Sequence, residues 1–235
     1  MFLLKLFCNV PEGSGSWKYN MYFPADKREN KLTFAIYAAV SLMELLKRQR
    51  DAFGISLFHD ALKLHTLAKS SPLHQRYVYA ELEKFFGEYI PAKNSDTLIS
   101  QALNEVAQRI PKRGMVMVFT DLWSSSEDEV DFMNALSHLK HQRHEVVVFH
   151  LYSRIIEHDF SLENRPYILV DMETGEEMRM LPNEFKSQYV ERYEKGLSAL
   201  KLKCGDLAVD FVPLAIEDGY NEVLTRYLLK RQSML

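Results

Sequence analysis

The 235 residues carry 47% hydrophobic and 26% charged side chains, enough to bury one sizeable core, and a single elaborated domain is the expectation. The 29 basic and 32 acidic residues leave a formal charge of -3, which excludes a chain-wide field favouring nucleic acid or an anionic membrane. Only Cys8 and Cys204 are present, far apart and in no CxxC pair, which excludes a disulfide framework and a cysteine-built metal site and fits reduced thiols.

The stretch Met1 to Val10 is too short to span a bilayer and is interrupted by Lys5, so it reads as a buried strand from Phe2 to Cys8. No other segment suits membrane insertion, and a cytoplasmic protein is expected. A long loop dense in Gly, Ser, Asn and Pro follows to Asn30, and loops of that length in compact domains tend to be functional. From Lys31, the apolar positions Leu32, Ile36, Ala39, Val40, Met43 and Leu46 recur at three and four residues, and Lys47, Arg48 and Arg50 crowd the end. That pattern predicts an amphipathic helix whose basic C-terminus suits its dipole.

Phe53 to His59 and Leu62 to Thr66 flank Asp60-Ala61 as a hairpin, and Leu73 to Phe86 is a helix that Gly87 should stop. A helix is expected from about Leu98 to Arg109, then a central strand from Met115 to Thr120 with Asp121 at its end. Another helix, from about Glu127 to Gln142, precedes a buried strand from Glu145 to Leu151. Tyr167 to Asp171 and Glu177 to Leu181 flank a Thr174-Gly175 turn, Pro182 opens a helix to about Cys204, Val209 to Val212 is a last strand and Asp218 to Arg231 a closing helix.

Repeated alternation of strand and helix predicts an α/β fold, a doubly wound, mainly parallel sheet with helices on both faces. The core would span about 1–153 plus 206–231, with an inserted hairpin and long helix at about 154–205. In such a sheet, ligands bind beyond the carboxyl ends of the strands, where neighbouring loops converge. Three loops qualify: Glu12-Gly13-Ser14-Gly15-Ser16 after the first strand, Thr97 before a helix, and Asp121. They offer carboxylates and hydroxyls, a hard-oxygen set suited to magnesium or manganese. Glu12, Ser14 and Ser16 alternate, so an extended segment points all three one way.

Plainer roles stand beside these. Ser14 and Ser16 with their glycines also make a flexible turn, and Thr97 also suits a helix N-cap. His138, His141 and His144 recur every three residues, but the third lies past the expected helix end and no acid or thiol completes a zinc set, so a solvated, dipole-favoured helix face is the better reading. Gly13 and Gly15 lack the Gly-Lys-Ser/Thr of a phosphate loop, and Ser14 sits in no Gly-x-Ser-x-Gly elbow. Trp17, Tyr19, Tyr22 and Phe23 form either a partner-facing aromatic surface or the packing of a long loop.

Lys31 to Arg50, Arg50-Asp51-Ala52-Phe53-Gly54, Phe119-Thr120-Asp121-Leu122, His144-Glu145-Val146-Val147 and Asp171-Met172-Glu173-Thr174-Gly175-Glu176 together resemble one family. It is the bacterial von Willebrand factor A-like proteins, classed as a domain of unknown function, that accompany MoxR-type AAA ATPases. The resemblance implies a non-enzymatic domain that binds such an ATPase in protein assembly or remodelling. It also implies a Mg2+ adhesion site made of an Asp-x-Ser-x-Ser loop, a threonine matched by Thr97 and a strand-end aspartate matched by Asp121. For the loop two alignments stand. Either Glu12, Ser14 and Ser16 are the motif, with glutamate replacing aspartate, or Ser16, Lys18 and Asn20 fall on the ligand positions. In the second case Lys18 would supply positive charge in place of the ion, giving a metal-free scaffold. The family's members also carry an upstream region without counterpart here, so the chain either begins inside a longer parent or departs from the family in its first residues. A magnesium-dependent phosphoryl-transfer enzyme using Asp121 is the reading from another class.

Overall fold

The computed structural model describes residues 2–7, 30–58, 62–88, 99–111, 113–121, 126–170 and 177–232. Its main sheet has six strands: β1 (Phe2–Phe7), β2 (Phe53–Phe58), β3 (Leu62–His65), β4 (Gly114–Thr120), β5 (His144–Tyr152) and, last in the chain, Asp210–Ala215. Between β5 and that last strand lies a separate antiparallel pair, β6 (Tyr167–Val170) with β7 (Glu177–Met180), so Asp210–Ala215 is β8. The order across the main sheet is β3-β2-β1-β4-β5-β8, parallel throughout except that β3 returns antiparallel on β2.

Helices α1 (Lys31–Arg48), α2 (Pro72–Glu88), α3 (Ile99–Arg109), α4 (Ser126–His141), α5 (Pro182–Asp206) and α6 (Asn221–Gln232) cover the sheet. The strand period of two sorts the core into two layers. Met115, Met117 and Phe119 of β4 join Val147, Phe149 and Leu151 of β5 beneath α1, α2 and α6. Val116, Val118, Val146 and Val148 face α3, α4 and the C-terminal part of α5. Burial on both faces explains why β4 and β5 read as continuous apolar runs. At the β2–β3 edge, Gly54 is required by space, because a side chain there would run into the Thr66 carbonyl.

The elements follow the expected order with shifts of a residue or two. Three readings are corrected. Gly87 does not stop α2, which continues to Glu88. The closing helix begins at Asn221, after a 3-10 turn over Ile216–Asp218. His144 is not on a solvated helix face but buried at the head of β5, while His138 on α4 lies within 3.1 Å of the Asn104 amide oxygen. One element was not foreseen: a π-helical turn over Arg154–His158, directly after β5. Cys8, the Asp60-Ala61 turn and the Thr174-Gly175 turn lie outside the described residues.

Candidate functional site: a buried charge triad at the switch point

Chain direction across the sheet reverses between β1 and β4. From β1 the chain moves outward to β2, and it later returns to place β4 on β1's other side. The crevice above those two strand ends is where this class of sheet holds its functional groups. Three described segments meet there: the start of α1, the residue after β4, and the π-helical turn after β5.

The start of α1 brings a lysine. Asn30 is the N-cap, with extended backbone and a side-chain oxygen that accepts the Thr33 N–H at 2.8 Å. The first helical residue is therefore Lys31, and the side chain is only 1% exposed. A cation at that position opposes the helix dipole, and a buried cation needs compensation. Two carboxylates provide it. The Lys31 ammonium donates a hydrogen bond to Glu157 Oε1 and stands 3.8 Å from Asp121 Oδ2.

Glu157 reaches the lysine because the chain after β5 winds into a π-turn rather than an ordinary loop. Ser153 caps that turn, its hydroxyl accepting the Ile156 N–H, while its own N–H donates to Glu157 Oε2 at 2.5 Å. Each Glu157 oxygen thus accepts one hydrogen bond. Helix α5 closes the site from outside: Tyr189 donates its hydroxyl to the Glu157 carbonyl at 2.9 Å, and Tyr193 packs edge-on against His158 at 5.7 Å. Phe160, just beyond the turn, holds a left-handed backbone with φ 47°. A bulky residue adopts that conformation only when its surroundings impose it, and Phe160 is buried with its ring 4.6 Å from Tyr189.

Lys31, Asp121 and Glu157 line a small cavity together with His150, Leu151, Tyr152 and Tyr193. Burial pushes the Asp121 carboxyl up to about 7, a rise that the Lys31 charge limits and the Glu157 charge reinforces. Burial likewise raises Glu157, against the pull of Lys31. With all three ionised the triad would carry one net negative charge in a dry environment, and the proton that burial favours on Asp121 up to about pH 7 offsets it. Burial, helped by Lys31, depresses the His150 imidazole to about 3, which keeps it neutral, and the ring stacks on Phe211 at 5.7 Å.

Of the residues read as metal ligands, Asp121 stands where the strand-end pattern put it, in a fully buried position. Glu12, Ser14, Ser16 and Thr97 lie outside the described residues, as does Lys18. Magnesium can be tested against the described part of the site. Asp121 accepts no hydrogen bond from another described residue, so its oxygens are open to a cation. The cation beside them is Lys31. A divalent ion on Asp121 would be repelled by that ammonium, which already supplies positive charge to both carboxylates. Each Glu157 oxygen already accepts a hydrogen bond, and no group of three His, Cys, Asp or Glu side chains among the described residues is placed to hold a metal. The described donor set does not fit a dication. Lys31 and Glu157 were missed by the sequence reading; the one signal was a lysine directly after a helix-capping asparagine, where an acid is the favourable residue.

Fold and site together define a doubly wound α/β domain whose switch point is closed by an internal lysine–carboxylate triad. Residues 14–198 match the family described as a protein of unknown function, DUF58, and the chain belongs to that family. No curated protein matches it. In fold, it is similar to the conserved hypothetical protein BatB from Bacteroides thetaiotaomicron, with 12% identity over 91% of this chain and 89% of that one and a TM-score of 0.43. An aerotolerance-related membrane protein from Bacteroides fragilis, carrying multiple mutations to serine, is 13% identical over 94% and 98% of the two chains with a TM-score of 0.46. An uncharacterised membrane-spanning protein from Vibrio fischeri is 9% identical over 99% and 96%, with a TM-score of 0.25. The expected cytoplasmic location is corrected here, because two of these three proteins are described as membrane proteins. Among the described residues, no helix is long and apolar enough to cross a membrane.

Proposed function

We propose that the chain is a non-enzymatic interaction domain of von Willebrand factor A type, one domain with the hairpin and α5 as an insertion, and that its partner is an AAA ATPase of MoxR type. The observation that carries the non-catalytic reading is that the acids at the switch point are buried and face the Lys31 ammonium rather than solvent. Asp121 has a side chain without exposure, and Glu157 is held at both oxygens. A phosphoryl-transfer centre needs a carboxylate that meets its substrate and a metal that bridges the two, and the described geometry favours neither. The ATPase as partner follows from the family resemblance.

Direct binding tests this reading: purified chain is titrated onto an immobilised MoxR-type ATPase from the same genome, with and without nucleotide. Saturable binding in the micromolar range or tighter is expected, and absence of binding at roughly 100 μM under both conditions would overturn the partner assignment. Hydrolysis of a generic phosphate ester in the presence of magnesium, at a rate lost in Asp121→Asn, would overturn the non-catalytic assignment.

A further inference from the structure

We infer that Lys31 is the resident cation of this site: its ammonium takes the electrostatic place that a divalent ion holds in adhesion sites of this fold, and the switch point closes without metal. The inference concerns the same site as the proposed function and rests on that reading only for the statement that partner binding is independent of divalent metal.

Three observations carry it. The ammonium lies between the strand-end carboxylate and a second carboxylate from a different segment, in contact with both, and all three side chains are buried. A bound dication bridges loops from several strands; Lys31 does the same, tying α1 to the end of β4 and to the π-turn after β5. Finally, Lys31 is placed by a specific device. The Asn30 cap sets where α1 begins and so puts the side chain at the helix end nearest the crevice. A lysine at the first helical position works against the dipole, and the carboxylates of Asp121 and Glu157 beside it offset that cost.

Lysine and a divalent ion differ in one measurable respect. A bound ion adds stability that depends on its concentration, whereas a side chain adds stability that does not. The test is thermal unfolding of the full chain in EDTA and in about 10 mM magnesium or manganese, for wild type, Lys31→Met, Asp121→Asn and the double variant. Wild type is expected to melt at the same temperature in every buffer. Lys31→Met should lower the melting temperature by roughly 6–20 °C, because two buried carboxyls lose their counter-charge. Adding Asp121→Asn to Lys31→Met should recover part of that loss in buffers above about pH 7, where Asp121 would otherwise ionise, which a purely steric role for the lysine would not produce. A wild-type rise of roughly 5–10 °C with magnesium, abolished by Asp121→Asn, would overturn the inference, since that is the increment of an ion held near 100 times its dissociation constant. If Lys31→Met does not fold, the wild-type titration and the folding of the double variant decide the matter. None of these measurements involves the ATPase, so failure of the partner assignment and failure of the lysine assignment are told apart.

Discussion

The π-turn Arg154–His158 is held on two sides by ion pairs of opposite character. On the inner side Glu157 meets Lys31 and Asp121, all buried. On the outer side Arg154 pairs with Asp218, both nearly half exposed, and the Arg154 N–H donates to Glu217 at 3.0 Å. Ser153 belongs to both, its N–H on Glu157 and its hydroxyl on Glu217 at 2.7 Å. The same chemistry serves the two sides, but water decides the energy. Exposed charges gain little by pairing because solvent already stabilises each one, while a buried charge stripped of its partner has nowhere to turn.

The largest break in this comparison is Glu157→Ala. It takes from Lys31 its hydrogen-bonded carboxylate and frees the Ser153 N–H, and loss of one partner from a buried pair costs about 3–5 kcal/mol. Urea titration at neutral pH should show the midpoint fall with an unchanged slope. An effect under about 1 kcal/mol would mean that the inner side is solvated and no different from the outer one.

A second test uses protons. Burial holds the Asp121 carboxyl at about 7 in the folded chain, against an ordinary value of 3.8. The folded protein therefore keeps a proton that the unfolded chain has released between those two values. Stability from this group is complete below pH 3.8 and is lost as pH rises through about 7. Wild type should lose stability relative to Asp121→Asn as pH climbs from about 4 to about 7, and the gap should level off above that range. Paired urea titrations of the two proteins across the range measure it. A gap that widens in the other direction would mean that Lys31 dominates burial and holds Asp121 ionised.

How much of this arrangement the sequence discloses differs between the two partners of the triad. The alternation of elements and the two-faced burial of β4 and β5 were readable because a fully buried parallel strand needs an unbroken apolar run, as Met115 to Thr120 shows. Asp121 was marked out by its place directly after that run, and it is buried there. Lys31 was read as the polar start of an amphipathic helix, where exposure is the default, and its burial depends on a residue 126 positions away. The π-turn has no periodicity over five residues from which to foresee it, and it exists because Glu157 is drawn inward while Ser153 caps the entry. Helix ends were hard for a local reason. Arg50, Arg143 and Ala208 adopt the left-handed conformation just beyond α1, α4 and α5, where glycine was the expected signal, while Gly87 sits inside α2.

A smaller effect is expected from the lid. Tyr189→Phe removes a single hydroxyl that donates to the Glu157 carbonyl at 2.9 Å and leaves the ring against Phe160 in place. Loss of about 1 kcal/mol should appear as a small fall in the urea midpoint. Additivity with Glu157→Ala would separate the lid from the triad, and strong coupling would join them, because residues in one network do not lose stability independently.

Smallest of all should be Arg154→Ala. The guanidinium pairs with Asp218 in open solvent, and the Glu217 contact that positions this residue is made by its backbone N–H, which alanine retains. The melting temperature should stay within measurement error of wild type, in dilute buffer and in about 0.5 M salt alike. Salt sets the sharper condition. If Arg154→Ala melted lower in dilute buffer and the difference vanished on adding salt, the outer pair would be contributing by unscreened attraction, and the contrast between the two sides of the turn would be one of degree. If the difference persisted in salt, Arg154 would be holding the turn by packing its stem, as long cationic side chains do when their methylenes cover apolar surface.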